Sequence, residues 1–206
     1  ELIEVPDEHS HKYTRGVLGM LTGSLEYPGA ALMSVRAALN TGVGMVRFNA
    51  NSHDLRQLMI AHNPETVYFS GAPALQRVTV WAGGSGSSHD SLDKNRYLLN
   101  SPEPAILDAG ACDLAAEYLA TGKPLGSHKI LTPHAAELER FLRIVHELAP
   151  ETWKKHLGDA IVPSRKDIDA EPFRWVRAAS ELSGATVMLK GGYTPIAAPN
   201  GDTSSV

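Results

Sequence analysis

Short apolar segments alternate with longer segments of helical composition along most of the chain. The first apolar run, residues 17–22, is bounded by glycines and is typical of a buried strand. Residues 30–39 have helical composition, and Gly42 is placed to end that helix in the left-handed conformation. Because this order of strand and helix recurs as far as residue 189, the pattern predicts an α/β fold with a mainly parallel central sheet and helices on both faces.

The predicted elements divide into strands, helices and two segments of other character. Strands are expected at residues 17–22, 44–48, 66–69, 78–82, 105–108, 128–132 and 186–189. Helices are expected at residues 30–39, 52–62, 90–100, 112–121, 133–145 and 173–182, with Pro133 at the entry of the fifth. Residues 149–172 are polar and mixed in charge, and we interpret them as an insertion that decorates the core. Residues 197–206 are expected to form a hairpin turn and then a polar stretch without a further element.

The overall composition narrows the class of protein. A length of 206 residues suits a single domain with one sizeable core. The formal net charge of -4 offers no broad cationic surface, so we expect no nucleic-acid partner. With Cys112 as its single cysteine the chain forms no internal disulfide, and we expect a cytoplasmic protein. No apolar run approaches the roughly 18 residues of a membrane span, and residues 1–9 are interpreted as an acidic linker rather than a signal peptide.

The most suggestive local motif is Lys190-Gly191-Gly192, which follows the last predicted strand directly. Glycines let a ligand approach the backbone, exposed amides can point at phosphate oxygens, and the lysine supplies positive charge. The motif therefore suits the phosphate groups of a nucleotide. A glycine-rich hairpin turn with a solvated lysine remains the alternative interpretation.

Three weaker candidates lie after other predicted strands. Residues 83–88 form a glycine-rich loop that matches neither a Walker loop nor a dinucleotide fingerprint, and a flexible linker is the alternative. His134 and Glu137 share one face at a helix start, where they either orient a polar ligand or cap the helix. Asp108 ends a strand, where it either binds a ligand hydroxyl or a metal-bound water, or caps the next helix.

Together and in order, these segments resemble the NAD(P)H-hydrate dehydratase family, and the match covers nearly the whole chain. The motifs that carry the resemblance are Ser10-His11-Lys12, Arg15-Gly16, Gly23-Ser24, Tyr27-Pro28-Gly29-Ala30-Ala31, Gly42-Val43-Gly44-Met45-Val46, Leu131-Thr132-Pro133-His134-Ala135-Ala136-Glu137 and Val187-Met188-Leu189-Lys190-Gly191-Gly192-Tyr193-Thr194. The resemblance implies a ribokinase-like fold. It also implies an enzyme that phosphorylates the hydroxyl of hydrated NADH or NADPH and then eliminates phosphate, which restores the dihydronicotinamide.

The resemblance assigns roles to particular residues. The expected nucleotide contacts are Lys190, Gly191, Gly192, Tyr193 and Thr194, and the expected contacts of the hydrated cofactor are Ala30, Gly84, Gly86 and His134. Asp108 and Glu137 are expected to support them, and no metal ligand is assigned. The nucleotide is expected to be ADP, as in bacterial members, with ATP as the alternative, and Mg²⁺ is expected to accompany it.

The chain departs from the family in two segments. The glycine loop near Gly86 lacks the usual proline. The family's Gly-Thr-Gly-Asp or Gly-Ser-Gly-Asp segment, which carries the catalytic aspartate, is absent, so we expect it after Val206. Residues 10–206 are therefore interpreted as a dehydratase domain that lacks its C-terminal part and is inactive alone. The sequence of residues 6–16 is similar to bifunctional bacterial proteins, so we also expect an epimerase domain before this one. Separately, we expect a homo-oligomer.

Two other functions fit part of the sequence. One is a kinase of the same fold that phosphorylates a vitamin precursor, although His11-Lys12 and residues 27–30 argue against it. The other is a nucleotide-binding module without catalytic activity, which the missing aspartate would allow.

Overall fold

The computed structural model of the protein describes residues 5–206, apart from the side chain of residue 90. Residues 1–4 of the predicted acidic linker lie outside the described residues. The strands are β1 (Val17–Leu21), β2 (Met45–Asn49), β3 (Val67–Phe69), β4 (Val80–Gly83), β5 (Ala105–Leu107), β6 (Lys129–Leu131), β7 (Thr186–Met188), β8 (Pro195–Ala197) and β9 (Thr203–Ser205). The α-helices are α1 (Pro28–Asn40), α2 (His53–His62), α3 (His89–Leu92), α4 (Arg96–Asn100), α5 (Gly110–Tyr118), α6 (Ala135–Leu148), α7 (Pro150–Leu157), α8 (Arg165–Ala170) and α9 (Pro172–Ser183).

Within residues 5–206, nine strands form one sheet in the order β3-β2-β1-β4-β5-β6-β7-β8-β9. All neighbours from β3 to β7 are parallel, and only β8 and β9 are antiparallel to their neighbours. The chain builds outward from β1 to β3 and then returns to the other side of β1 with β4. The predicted mainly parallel α/β fold is therefore confirmed, and the boundary between β1 and β4 is a topological switch point, where ligands of such sheets bind.

Two hydrophobic clusters lie on opposite faces of the sheet. Met20 and Leu21 are adjacent on β1, so their side chains point to opposite faces, and each belongs to a different cluster. The Met20 cluster packs under α1 and α2, whereas the Leu21 cluster extends under helices from α4 to α9. The prediction of helices on both faces is confirmed.

Three predicted features differ clearly from the structure. Pro133 does not belong to a helix, because α6 begins at Ala135 after His134 as its N-cap residue. Residues 90–100 do not form one helix but α3, a 3₁₀ turn (Asp93–Asn95) and α4. The polar stretch after the hairpin turn is a strand, β9, paired with β8. Its three side chains are all exposed, so no apolar alternation marks it in the sequence.

The segment 149–172 contributes to the core and does not merely cover it. It forms α7 and α8, whose Trp153 and Ile168 are buried in the Leu21 cluster. Each of these helices places one large apolar side chain inward among charged neighbours, which is why the composition alone indicated a surface segment. Whether these residues are an insertion relative to the family stays a prediction.

None of the helices that the structure describes between residues 5 and 206 is both long and apolar enough to cross a membrane.

Candidate functional site

The predicted site residues lie on five loops at the carboxyl ends of parallel strands or in the first turn of the helix that follows such a loop. These loops follow β1, β4, β5, β6 and β7, and carboxyl ends of parallel strands meet at one edge of a sheet. We call this edge the ligand edge. Two groups of residues on it, one at each side of β5, are connected through Asp108.

The first group lies at the switch point between β1 and β4. The amide of Gly23, after β1, donates to the carbonyl of Ser85, after β4, at 2.7 Å. Gly86 has φ +64°, and a Cβ there would lie 2.3 Å from the Cβ of Ala30. Ala30 is in the first turn of α1. The loop after β4 thus lies directly against the start of α1, and only glycine allows this approach.

Gly84 connects the same loop to the end of β5. Its φ is +104°, and a Cβ there would lie 1.9 Å from the carbonyl oxygen of Asp108. The amide of Asp108 in turn donates to the carbonyl of Gly83 at 3.0 Å. The two strand ends are therefore in backbone contact, and the structure brings the predicted residues Ala30, Gly84 and Gly86 together.

The side chain of Asp108 belongs to the second group. Its Oδ1 lies 2.6 Å from Nζ of Lys190 and accepts a hydrogen bond of 2.9 Å from Oγ1 of Thr132. Glu137 Oε2 lies 3.6 Å from the same Nζ. Burial alone would lower the pKa of Lys190, but its hydrogen bond to Asp108 and the nearby carboxylates outweigh burial and raise it. Lys190 is therefore a fixed, fully charged ammonium at the ligand edge.

The alternative interpretation of Asp108 as a helix cap is wrong. The residue before α5 is Ala109, and no side chain caps that helix. Ala109 has φ +47°, a strained value for alanine, and it is the one non-glycine residue with positive φ in the described part of the chain. The carboxylate of Asp108 is turned to Lys190 instead.

The capping interpretation of His134 and Glu137 is confirmed. Nδ1 of His134 accepts from the amide of Glu137 at 3.2 Å, and Oε2 of Glu137 accepts from the amide of His134 at 2.8 Å. This reciprocal pair is a capping box. The imidazole remains half-exposed at the ligand edge, so the cap leaves a face of His134 open to a ligand.

Residues 190–194 form the turn between β7 and β8. The two ends of the turn are fixed by backbone hydrogen bonds. The amide of Lys190 donates to the carbonyl of Pro133 at 2.9 Å, and the amide of Thr194 donates to the carbonyl of Val206 at 2.8 Å. Within residues 5–206, the amides of Gly191, Gly192 and Tyr193 have no hydrogen-bond acceptor. The turn is thus a glycine hairpin that also offers three free donors beside an ammonium, a combination that suits phosphate oxygens.

Lys94 and Asn49 are in contact at the ligand edge, and no motif in the sequence indicated that contact. Nζ of Lys94 donates to Oδ1 of Asn49 at 2.7 Å, and Asn49 is the last residue of β2. The two residues are 45 positions apart and belong to no common motif. Only the sheet order brings them together.

The residues described here do not by themselves make a metal site. No group of three or more His, Cys, Asp or Glu side chains suited to a metal ion occurs among them. The two carboxylates nearest the turn, Asp108 and Glu137, both face the ammonium of Lys190. A magnesium ion would therefore need phosphate oxygens as further ligands.

An open cavity of about 820 Å³ lies at the other edge of the sheet. Its lining includes Asp7, Arg15 and Thr41, which precede β1 and β2 along the chain. Size alone would favour this cavity. However, ligands of open parallel sheets bind beyond the carboxyl ends of the strands, so we place the candidate site at the ligand edge.

Comparison with known proteins gives matches over nearly the whole chain. The sequence pattern of a family described as NAD(P)H-hydrate dehydratase matches residues 18–206. The bifunctional NAD(P)H-hydrate repair enzyme of Mycobacterium tuberculosis is 33% identical over 201 residues, which cover 96% of this chain and 37% of that protein. The ADP-dependent (S)-NAD(P)H-hydrate dehydratase of Neisseria meningitidis is 29% identical over 94% of this chain and 62% of its own length. The chain thus spans between about a third and two thirds of the length of these relatives.

A solved structure has the same fold. The ADP/ATP-dependent NAD(P)H-hydrate dehydratase of Bacillus subtilis, co-crystallised with ATP and Mg²⁺, superposes with a TM-score of 0.75 at 25% identity. The superposition covers 98% of this chain and 67% of the Bacillus chain. A structure described as a ribokinase-like superfamily protein from Enterococcus faecalis superposes with a TM-score of 0.74 at 18% identity, which supports the fold alone. The predicted ribokinase-like fold is confirmed.

Proposed function

The chain belongs to the NAD(P)H-hydrate dehydratase family, and from that premise we propose that the protein carrying it restores NADH and NADPH from their hydrated forms. The reaction consumes a nucleotide, which supplies the phosphoryl group for the hydroxyl of the hydrated ring. Departure of that oxygen as phosphate and loss of a ring proton then give the dihydronicotinamide. Its products are NADH or NADPH, phosphate and the shortened nucleotide.

One observation carries this proposal: Asp108 touches both groups of the ligand edge. Its carbonyl lies against Gly84, and its carboxylate lies 2.6 Å from Lys190. A phosphoryl transfer needs donor and acceptor held against each other in a fixed geometry. A contact that ties the loop after β4 to the turn after β7 supports such an arrangement.

The residues divide into two sets by what they would hold. Lys190, Gly191, Gly192, Tyr193 and Thr194 would bind the nucleotide through the ammonium and the free amides of the turn. Ala30, Gly84, Gly86 and His134 would bind the hydrated dinucleotide. Thr132, Asp108 and Glu137 would keep the Lys190 ammonium in place. None of the described residues is proposed as the catalytic base.

Several finer features belong to the same proposal. We propose ADP as the nucleotide, with ATP as the alternative, and Mg²⁺ bound through phosphate oxygens together with a carboxylate of the ligand edge. We also propose that the protein is cytoplasmic, that it forms a homo-oligomer and that it carries an epimerase domain elsewhere in its sequence. The bifunctional relatives support the last of these, since the chain covers 37% of the mycobacterial protein.

Turnover of hydrated NADH and NADPH by the protein that carries this chain tests the proposal. Each hydrate is incubated with Mg²⁺ and either ADP or ATP, and recovery of absorbance at the dihydronicotinamide wavelength is followed. We expect recovery that requires a nucleotide and is faster with ADP. If neither ADP nor ATP supports recovery of the absorbance, the proposal is overturned. Phosphorylation of a vitamin precursor instead would establish the kinase alternative.

A further inference from the structure

Lys94 presents a positive charge at the ligand edge that no proposed contact uses. It lies in the 3₁₀ turn Asp93–Asn95, and its Nζ donates to Oδ1 of Asn49 at 2.7 Å. Asn49 is 4% exposed, and its own Nδ2 reaches the carbonyl of Gly71 at 3.5 Å. The ammonium is therefore held by a neutral, buried amide that is itself anchored.

The neighbours of Lys94 place it beside the switch point. Oδ1 of the adjacent Asn95 lies 2.0 Å from where a Cβ of Gly83 would be, and its Nδ2 donates to Ser87 Oγ at 3.3 Å. The turn thus lies directly on the loop after β4. Asn49, in contrast, ends β2, and β1 lies between β2 and β4. The side chain of Lys94 must cross the carboxyl end of β1, where the loop before α1 meets the loop after β4.

The charge of Lys94 is not balanced as that of Lys190 is. Residue 90 apart, no described carboxylate lies within 4 Å of its Nζ, whereas Lys190 has two. Burial lowers the pKa of Lys94 from its usual value, and among the described side chains no nearby charge raises it again. A partly buried ammonium that is held by a neutral amide is stabilised when an anion binds to it.

The ammonium of Lys94 also lies far from the turn of residues 190–194. β1 and β7 are four strand spacings apart in the sheet, about 19 Å at about 4.8 Å per spacing. A ligand held at the loop after β4 and extending away from the turn would bring its remote groups to Lys94. A dinucleotide has the required length and carries phosphates away from its nicotinamide ring.

We propose that Lys94, positioned by Asn49, binds a phosphate group of the dinucleotide substrate. This inference rests on the proposed dehydratase function. The phosphate is either the pyrophosphate, which both hydrates carry, or the 2′-phosphate, which only the NADPH hydrate carries. The shared chemistry is one charge-assisted contact between an ammonium and phosphate oxygens.

The test compares Lys94→Gln, Lys94→Arg and the control Lys123→Gln in the protein that carries this chain. Lys123 is exposed and precedes β6, so it lies at the opposite edge. The KM of each hydrate is measured in turnover. Separately, binding of NADH, NADPH and ADP is titrated, which gives a readout that does not depend on catalysis.

We expect Lys94→Gln to weaken binding of the dinucleotide by about tenfold or more, which is the scale of one lost charge-assisted hydrogen bond. Lys94→Arg should keep most of the affinity, Lys123→Gln should keep all of it, and the affinity for ADP should not change. Equal losses for NADH and NADPH would assign the contact to the pyrophosphate, and a loss for NADPH alone would assign it to the 2′-phosphate.

Three results would overturn the inference: unchanged dinucleotide binding in Lys94→Gln, an equal loss in Lys123→Gln, or a loss of ADP binding instead. These results are distinct from a failure of the proposed function, which would appear as absence of turnover in the unsubstituted protein. In that case the titrations with NADH and NADPH would still decide the role of Lys94.

Discussion

Lys190 Nζ lies 2.6 Å from Asp108 Oδ1, although 82 residues separate the two positions. The sheet order explains the contact, because β5 and β7 flank β6 and all three strands end at the ligand edge. Thr132, after β6, donates to the same carboxylate oxygen. A partly exposed ion pair of this kind contributes only about 1 kcal/mol to stability, so its main consequence is the placement of the ammonium.

Replacing Lys190 by alanine should weaken ADP binding by about tenfold or more, since it removes a fixed cation beside the free amides of the turn. Lys190→Arg should retain part of the affinity. Titration of ADP into the two variants and the unsubstituted protein measures the effect. Thermal unfolding serves as the control, because the loss should appear in binding with little change in Tm. Unaltered ADP affinity in Lys190→Ala would remove this residue from the proposed nucleotide contacts.

Substitutions of His134 can separate its two proposed roles. Asparagine is among the best N-cap residues, so His134→Asn should keep the cap of α6 while removing the imidazole. We expect His134→Asn to raise the KM for the hydrate with nearly unchanged stability. His134→Ala should raise it as well and also lose about 1 kcal/mol of stability. If His134→Asn turns over the hydrate like the unsubstituted protein, His134 acts only as a cap.

The sequence predicted well what depends on local pattern. Strand and helix order followed from alternating apolar runs, and the glycines after β4 and β7 marked the loops of the ligand edge. The position of those loops at one edge follows from parallel pairing alone. Gly84 and Lys190 could thus be placed at one edge of the sheet before any contact was known.

What the sequence did not predict depends on contacts between distant segments. The pair of Lys94 and Asn49 exists because β1 lies between β2 and β4, and no spacing in the chain indicates that order. Asp108 has the residue type and position of a helix cap, but its carboxylate contacts the ammonium of Lys190 and does not cap α5. β9 is exposed on all three residues, so only its pairing with β8 defines it.

The steric role of Gly84 predicts a large effect of a single methyl group. Gly84→Ala would place a Cβ 1.9 Å from the backbone oxygen of Asp108, at φ +104°. We expect a loss of about 2 kcal/mol or more in the free energy of unfolding, together with weaker substrate binding. Gly29→Ala is the matched control, because nothing lies within 4 Å of its added Cβ. Denaturant unfolding of both variants measures the difference, and equal stabilities would mean that the loop can move away from Asp108.

The buried Lys129 predicts how stability depends on pH. Its ammonium is fully buried in β6 and donates to the Ser101 carbonyl, the Ser101 hydroxyl and the Glu103 carbonyl, each at 2.8 Å. Burial lowers the pKa of Lys129 from 10.5 to about 8. Between these values the folded state binds fewer protons than the unfolded state, so the contribution of Lys129 to stability rises with pH.

The comparison of the unsubstituted protein with Lys129→Met isolates that contribution. Burial also raises the pKa of the Cys112 thiol, which lowers stability as the solution becomes alkaline, but it does so in both proteins. We therefore expect the stability difference to shift in favour of the unsubstituted protein by up to about 3 kcal/mol between pH 8 and 10.5. Denaturant unfolding at several pH values measures it. A difference that stays constant with pH would mean that Lys129 titrates normally.

The contribution of residues 149–172 to the core can be tested with two isoleucines of that segment. Ile168 is fully buried, whereas Ile161 is 86% exposed. Because Ile168 packs in the cluster that also holds Trp153 and the inner side chains of α6 and α9, Ile168→Ala should lose about 2–5 kcal/mol in the free energy of unfolding. Ile161→Ala should change it by less than about 0.5 kcal/mol. If both variants unfold at the same denaturant concentration as the unsubstituted protein, α8 is a detachable surface element, and the segment is only the decoration that its polar composition indicates.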